Sequence, residues 1–284
     1  MHGAATWEMR RGVVSLEQPV VVGILNVTPD SFSDGGRHLE PDRALAHAEA
    51  LVADGAAMLD LGAESTGPGA RGPVPAEEEW RRLEPVLTGV VLRFPQVPVS
   101  VDTVKAATAR RALEVGAWAI NDVSALRLDL GVADACAAHG AGLILMHSRG
   151  AVRTMATYQH ATYQDVTAEV SRELQAAVTL AEQRGVPRGR IVLDPGLGFS
   201  KTPEQSYQVL GGLPALARLG LPVMIGPSRK RFLGAATGRD VAERDVATAA
   251  ACAIGWLLGA RLFRVHAVAP TRDALAVAHA ARLS

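Results

Sequence analysis

Polar side chains able to bind or polarise a substrate recur in this chain directly after short apolar runs. Asn26 follows Val20–Leu25, and Asp60 lies within the run Met58–Leu61 ahead of the turn-rich segment 62–69. Asp102 and Thr103 follow Val99–Val101, Asn121 and Asp122 follow Ala119–Ile120, and Met146-His147 ends the run from Gly142. Further on stand Asp194-Pro195-Gly196-Leu197-Gly198-Phe199, Gly226-Pro227-Ser228-Arg229-Lys230 and Arg264-Val265-His266. A buried strand reads this way where it emerges at its carboxyl end.

The mixture of types suggests what is bound. Asp102, Asn121 and Asp194 are rich in acceptors, and a carboxylate pairs well with two parallel N–H groups on the amino-amidine edge of a pterin- or guanine-like ring. Arg264, His266 and Lys230 supply donors and positive charge suited to phosphate or diphosphate. Asn26 and the loop containing Thr66 suit a hydrated Mg²⁺, which takes few protein ligands and leans on phosphate oxygens. Each residue alone has an ordinary explanation: Asp102 as a helix cap, His147 as a satisfied buried imidazole, Arg264 as the partner of a neighbouring carboxylate. The segment 26–36, with Pro29, Gly35 and Gly36, also reads as a plain solvated turn. Eight polar termini on one rim are harder to explain as solvation. Neither a zinc-ligand spacing nor a Gly-x-Ser-x-Gly elbow occurs.

Residues so placed need eight strands to carry them. Strands are expected at Val20–Leu25, Met58–Leu61, Val99–Val101, Ala119–Ile120, Gly142–Met146, Ile191–Leu193, Val223–Ile225 and Leu262–Val265. Helical periodicity separates them over Asp42–Asp54, Ala76–Phe94, Val104–Val115, Gly131–His139, Tyr163–Arg184, Pro203–Leu210, Arg244–Leu258 and Thr271–Ala281. Asp42, Thr103 and Thr202-Pro203 are candidate helix starts, and Gly55, Gly116, Gly140 and Gly185 candidate stops. The alternation predicts an α/β protein, a (β/α)8 TIM barrel of ~250 residues. A doubly wound open sheet fits less well, because no Gly-x-Gly-x-x-Gly loop follows an early strand. One domain is expected over residues 1–284, with 1–18 an extension before the first barrel strand.

Composition bounds the partners. The chain has 284 residues, 48% of them hydrophobic, and zero formal net charge, which argues against a general nucleic-acid or membrane-surface binder while allowing a local basic pocket. The longest apolar stretch, Ala247–Ala260, is rich in Ala and Gly and reads as a buried helix. Cys136 and Cys252 read as small buried hydrophobes. With no signal-like segment in Met1–Gln18, a cytoplasmic protein is expected. The lysines are Lys105, Lys201 and Lys230, all in polar stretches past strand ends in a chain that otherwise uses Arg. That placement is a mild pointer to a site.

Taken together, the stretches Asn26–Gly36, Glu64–Ala70, Ser100–Lys105, Ile120–Val123, Asp194–Thr202, Gly226–Phe232 and Arg264–His266 resemble the dihydropteroate synthases, the folate-pathway enzymes targeted by sulfonamides. They occur in that family's order and span nearly the whole chain. The resemblance implies a TIM barrel, a homodimer and Mg²⁺. It implies that 6-hydroxymethyl-7,8-dihydropterin diphosphate and 4-aminobenzoate give 7,8-dihydropteroate and diphosphate. By that likeness Asp102, Asn121, Asp194 and Lys230 bind the pterin and Met146 lines its pocket. Asn26 contacts the metal, and Asn26, Arg264 and His266 hold the diphosphate. Phe32, Thr66, Pro68, Phe199 and Ser228 border the 4-aminobenzoate site, and Gly226 lies in the same rim. Asp102, Lys230, Arg264 and His266 are the expected catalytic groups.

Four positions depart from the family pattern. Gly67 stands where arginine is usual, with Arg71 a possible substitute. Ala63 replaces glycine, Ser206 replaces asparagine, and Ala267 replaces an aspartate that would support His266 or Arg264. These departures keep open a catalytically impaired pterin-binding relative. A pterin-dependent corrinoid methyltransferase and a Schiff-base aldolase using Lys230 are further alternatives.

Overall fold

The computed structural model describes residues 6–27, 39–64 and 73–283. The first elements are a hairpin: β1 (Thr6–Met9) pairs antiparallel with β2 (Gly12–Ser15). The barrel strands are β3 (Val20–Asn26), β4 (Met58–Gly62), β5 (Val99–Asp102), β6 (Ala119–Asp122), β7 (Gly142–Met146), β8 (Ile191–Asp194), β9 (Met224–Ile225) and β10 (Leu262–Val265). They form one parallel sheet in the order β8-β7-β6-β5-β4-β3-β10-β9. A bridge between Leu193 and Val223 joins the two ends and closes the barrel.

The helices are α1 (Leu39–Ala53), α2 (Ala76–Arg93), α3 (Ala106–Val115), α4 (Gly131–His139), α5 (Val166–Gln183), α6 (Pro203–Gly211), α7 (Leu213–Ala217), α8 (Arg231–Thr237), α9 (Asp245–Leu257) and α10 (Val268–Leu283). Their apolar stripes and the outward faces of the strands make the larger core, from Val21 and Leu25 round to Phe263 and Val265. Every expected strand and helix is present. The short α7 and α8, seven residues or fewer, and the hairpin were not foreseen: such segments are too brief to show a period.

Side chains alternate across a strand. One face of β3 carries Val20, Val22, Ile24 and Asn26, so the barrel interior passes from apolar at its base to polar at its mouth. The other strands repeat that gradient. Val22, Met58, Ala119, Ile144, Val192, Met224 and Leu262 fill the base together with Trp7, Met9, Val14 and Leu16 from the hairpin segment. Trp7 is fully buried and donates its indole N–H to the Arg190 carbonyl at 2.8 Å. Glycine is required at Gly142, where a Cβ would fall 2.4 Å from the Trp7 ring. The hairpin therefore seals the N-terminal end of the barrel.

Several strands run one or two residues further than their apolar runs. Asp102 is paired with Gly62 and with Asn121, and Met146 with Asp194. Asn26, Asp102, Asn121 and Asp194 thus sit on ladder-fixed backbone, whereas Ser228, Lys230 and His266 follow β9 and β10 on connecting segments, because register, not hydrophobicity, decides where a strand ends. Two cap expectations fail. Asp42 lies inside α1, and Thr103 precedes α3, whose first amide, Ala106 N–H, is taken by Asp129 at 2.8 Å. Thr202 does cap α6, in a reciprocal box with Gln205. Gly55, Gly116, Gly140 and Gly185 all take positive φ at helix ends. Cys136 and Cys252 are free and buried, and burial pushes both thiols up. The Ala-rich α9 is not buried all round: Val246, Ile254 and Leu257 face outward. Among the described residues no helix is long and apolar enough to cross a membrane.

Candidate active site

The mouth encloses a cavity of about 460 Å³. Asn26, Asp102, Asn121, Met146, Asp194, Phe199, Gly226, Ser228, Lys230, Arg264 and His266 all line it. Phe32, Thr66 and Pro68 lie outside the described residues, as do Gly67, Arg71 and most of the segment 26–36. His147 does not reach the cavity. It is 2% exposed and turned aside toward Lys201 and Glu173. Asp122 is also structural, accepting from the amides of Ser124 and Leu126 at 2.8 and 2.7 Å.

Beneath the cavity lies a carboxylate that was read as a strand-end residue but not placed in the site. Asp60 is 1% exposed and ties three strands together. It accepts from Arg264 Nε at 2.6 Å, from Asn121 Nδ2 at 3.2 Å and from the Ser100 hydroxyl. Its sequence signal was an acid inside the apolar run Met58–Leu61, which only a buried partner tolerates. Arg264 Nη2 also donates to Asp102 Oδ2 at 3.1 Å. The expected separation of acids from cations is therefore not spatial: Arg264 bridges two of the acids, and Lys230 lies by Asp194. The bland reading of Arg264 as an ion-pair partner is correct and is part of the site.

Because the Asn121 amide donates to Asp60, its Oδ1 points the other way. That oxygen is buried and, among the described residues, without a hydrogen-bond partner. A buried acceptor left open costs about 1–3 kcal/mol, which a ligand N–H would recover. Burial raises Asp102, with Arg264 pulling it down and Asp60 adding to the rise. Burial also raises Asp194, opposed by Lys230; its Oδ1 accepts the Gly196 amide at 2.7 Å. Lys230 donates to the Leu197 carbonyl and lies 4.2 Å above the Phe199 ring. Burial pulls its pKa down to about 7, against the pull of Asp194.

On the β10 side, His266 is held by Ser228. The Ser228 hydroxyl accepts the His266 amide at 3.1 Å and lies 2.8 Å from His266 Nδ1. Burial, then the Arg264 and Arg229 charges, lower His266 to about 4. A neutral ring with Nδ1 engaged keeps Nε2 as its free nitrogen. Ala267 thus leaves nothing unsupported: Ser228 orients the histidine, and Asp60 with Asp102 orients the arginine. Ser206 also has a function in place, accepting the Gly198 amide at 3.2 Å. Ala63 is fully buried, its carbonyl accepting from Arg82 at 3.2 Å.

A Mg²⁺ ion was expected at Asn26. The Asn26 side chain lines the cavity and makes no hydrogen bond among the described residues. Among those residues no group of three His, Cys, Asp or Glu side chains could hold a metal alone. The donor set fits an ion carried chiefly by diphosphate oxygens and water, with Asn26 as a single protein ligand.

Comparison with known proteins agrees with this geometry. Residues 22–266 match the pterin-binding enzyme family. The dihydropteroate synthase of Mycobacterium leprae is 44% identical over 270 residues, covering 93% of this chain and 94% of the relative. The Xanthomonas albilineans dihydropteroate synthase solved with 4-aminobenzoic acid superposes with a TM-score of 0.91 at 42% identity, over 99% of both chains. The same enzyme solved with 7,8-dihydropteroate gives 0.85 at 42% identity, over 96% of this chain and 97% of that one. The chain belongs to the pterin-binding enzymes and, within them, to the dihydropteroate synthases, transferases that join a pterin to 4-aminobenzoate.

Proposed function

We propose that this chain condenses 6-hydroxymethyl-7,8-dihydropterin diphosphate with 4-aminobenzoate. The observation that carries the ring assignment is the open Asn121 Oδ1 beside the carboxylates of Asp102 and Asp194. Three acceptor groups on one wall suit the N–H-rich edge of a pterin. Lys230, over Phe199 and beside Asp194, supplies a donor to a ring acceptor adjoining that edge. Arg264 and His266 Nε2 face the diphosphate.

The reaction breaks the bond between the exocyclic methylene carbon and the diphosphate oxygen, which leaves with the electron pair. The arylamine nitrogen then forms the new C–N bond and gives up a proton to solvent. Arg264 stabilises charge growing on the leaving group, and neutral His266 offers it one N–H donor. A bound Mg²⁺ would add Lewis-acid stabilisation of the same oxygens. Asp102 lies where its charge would stabilise positive charge delocalised over the pterin as the methylene carbon is released. No covalent nucleophile is needed. Corrinoid methyl transfer and Schiff-base chemistry find no support in this arrangement, and the Lys230 ammonium is taken up by the Leu197 carbonyl and the Phe199 ring.

A homodimer is part of this reading. The surface that supports it is the outer face of α9 and α10, where Val246, Ile254, Leu257 and Val277 are 79%, 48%, 54% and 73% exposed. Trp256, on the same helix α9, is only 2% exposed and packs inward, under Arg261 and Arg282. Two unpaired cysteines support a reducing, cytoplasmic setting.

The deciding assay combines dihydropterin diphosphate, 4-aminobenzoate and Mg²⁺, with this chain and Gly67→Arg run side by side. Dihydropteroate formed by the parent supports the reading, and Gly67 is then a tolerated departure. Activity in Gly67→Arg alone means an impaired second loop on an intact pterin site. Pterin binding without turnover in either means a non-catalytic relative.

A further inference from the structure

The described residues hold a buried cation that the reaction above leaves unused. Lys201 is 1% exposed, and burial brings its pKa down to about 7. Its ammonium donates to three acceptors: His147 Nδ1 at 2.9 Å, the Phe199 carbonyl at 3.1 Å and the Gly196 carbonyl at 3.2 Å. An ammonium has three protons, and each is matched to an acceptor. His147 Nδ1 is thereby an acceptor, so its Nε2–H donates to Glu173 at 3.0 Å. Glu173 is in turn paired with Arg149.

The segment so gripped is an improbable one. Gly196, Gly198 and Ser200 all take positive φ, at 65°, 76° and 48°. A Cβ at Gly196 would fall 2.0 Å from the His147 carbonyl oxygen. A chain path with three left-handed residues in five needs external ties to be singly populated. Lys201 ties two of its carbonyls, and those two flank or belong to the groups that hold Lys230: Gly196 precedes Leu197, whose carbonyl accepts from Lys230, and Phe199 carries the ring beneath it.

We propose that Lys201 is a positioning residue for the pterin site: its buried ammonium, seated on His147, fixes loop 195–200 so that Leu197 and Phe199 hold Lys230 against the bound ring. This rests on the synthase reading and adds to it a residue that never touches substrate. A greasy residue of similar length would fill the space at lower desolvation cost, but would leave both carbonyls and the imidazole without a donor.

The test is a double-mutant cycle on the full chain, read as the Kd of 6-hydroxymethylpterin, with urea unfolding alongside. Lys201→Met should weaken binding about tenfold in the native background and less than about twofold in Lys230→Met, since coupled residues are not additive. A mere fold staple would instead lower stability and weaken binding equally in both backgrounds, and that result overturns the proposal, as does unchanged affinity. Where Lys201→Met does not fold, the His147 pair decides. His147→Leu removes the acceptor and should weaken binding; His147→Asn restores an acceptor near Nδ1 and should recover most of the loss. Equal affinities in the two overturn the proposal. A native chain that binds no pterin overturns the synthase reading and this inference together.

Discussion

The hydroxyl of Ser228 lies 2.8 Å from Nδ1 of His266 and accepts the same residue's backbone N–H at 3.1 Å. One short side chain thus fixes both the ring and the backbone of a residue on the neighbouring strand end. Ser228→Ala should leave the imidazole free to rotate. We expect kcat/KM for dihydropterin diphosphate to fall about tenfold, the cost of one positioning hydrogen bond. The affinity for 6-hydroxymethylpterin, which lacks the diphosphate, should be unchanged. Parallel loss in both would place Ser228 at the ring instead.

Asp60 carries a heavier structural load. Asp60→Ala strands the Arg264 guanidinium and the Asn121 amide in a buried layer, and should cost about 3–5 kcal/mol of stability in urea unfolding. Asp60→Asn keeps the shape but sets an N–H against one of its donors, so it should recover part of that loss while pterin binding stays weak. An Asp60→Ala chain of native stability would remove Asp60 from this role.

Lys230 should impose an alkaline limb on binding. It is cationic below its pKa of about 7 and neutral above. The kcat/KM for dihydropterin diphosphate, which reports the free enzyme, should therefore decline as pH rises through about 7 to 8. Lys230→Arg keeps its charge across that range, and its profile should lose this limb even if its maximum is lower. Identical limbs in both proteins would assign the titration elsewhere.

His266 bears on acid stability. Its folded pKa, about 4, lies below the ordinary 6.5, so the unfolded chain takes up the proton first. Stability must then fall as pH drops from about 6.5 toward 4, by on the order of 2 kcal/mol from this group. His266→Gln removes the term: the stability difference between native and variant chains should narrow between pH 7.5 and 5. A constant difference would mean that the imidazole is protonated alike in both states.

How far these relations were legible follows from their range. That Asp102, Asn121, Asp194, Lys230, Arg264 and His266 gather at one cavity was readable because each lies at or shortly past the end of an apolar run, and a barrel brings all such ends to one rim. The eight strands were readable for the same reason. Asp60 reads as a strand-end residue but not as part of the site, because its three partners come from three other strands and no local pattern records them. Lys201 was noticed only as an odd lysine; its pairing with His147 crosses 54 positions. The hairpin escaped because four-residue strands with ordinary polar neighbours carry no periodic signal. Resemblance sets Ser228 at the arylamine, and its hold on His266 arises only where the ends of β9 and β10 meet.

The hairpin gives the molecule a heel. Arg11 lies at its turn, exposed, at the end of the barrel away from the mouth, while Cys136 and Cys252 are both buried. Arg11→Cys would thus add an outward-facing thiol to a chain whose own thiols are shielded. Protein captured on a maleimide chip through that handle would stand on its closed end, opening away from the surface. Its ligands could then be followed by refractive-index change without the attachment obstructing their approach.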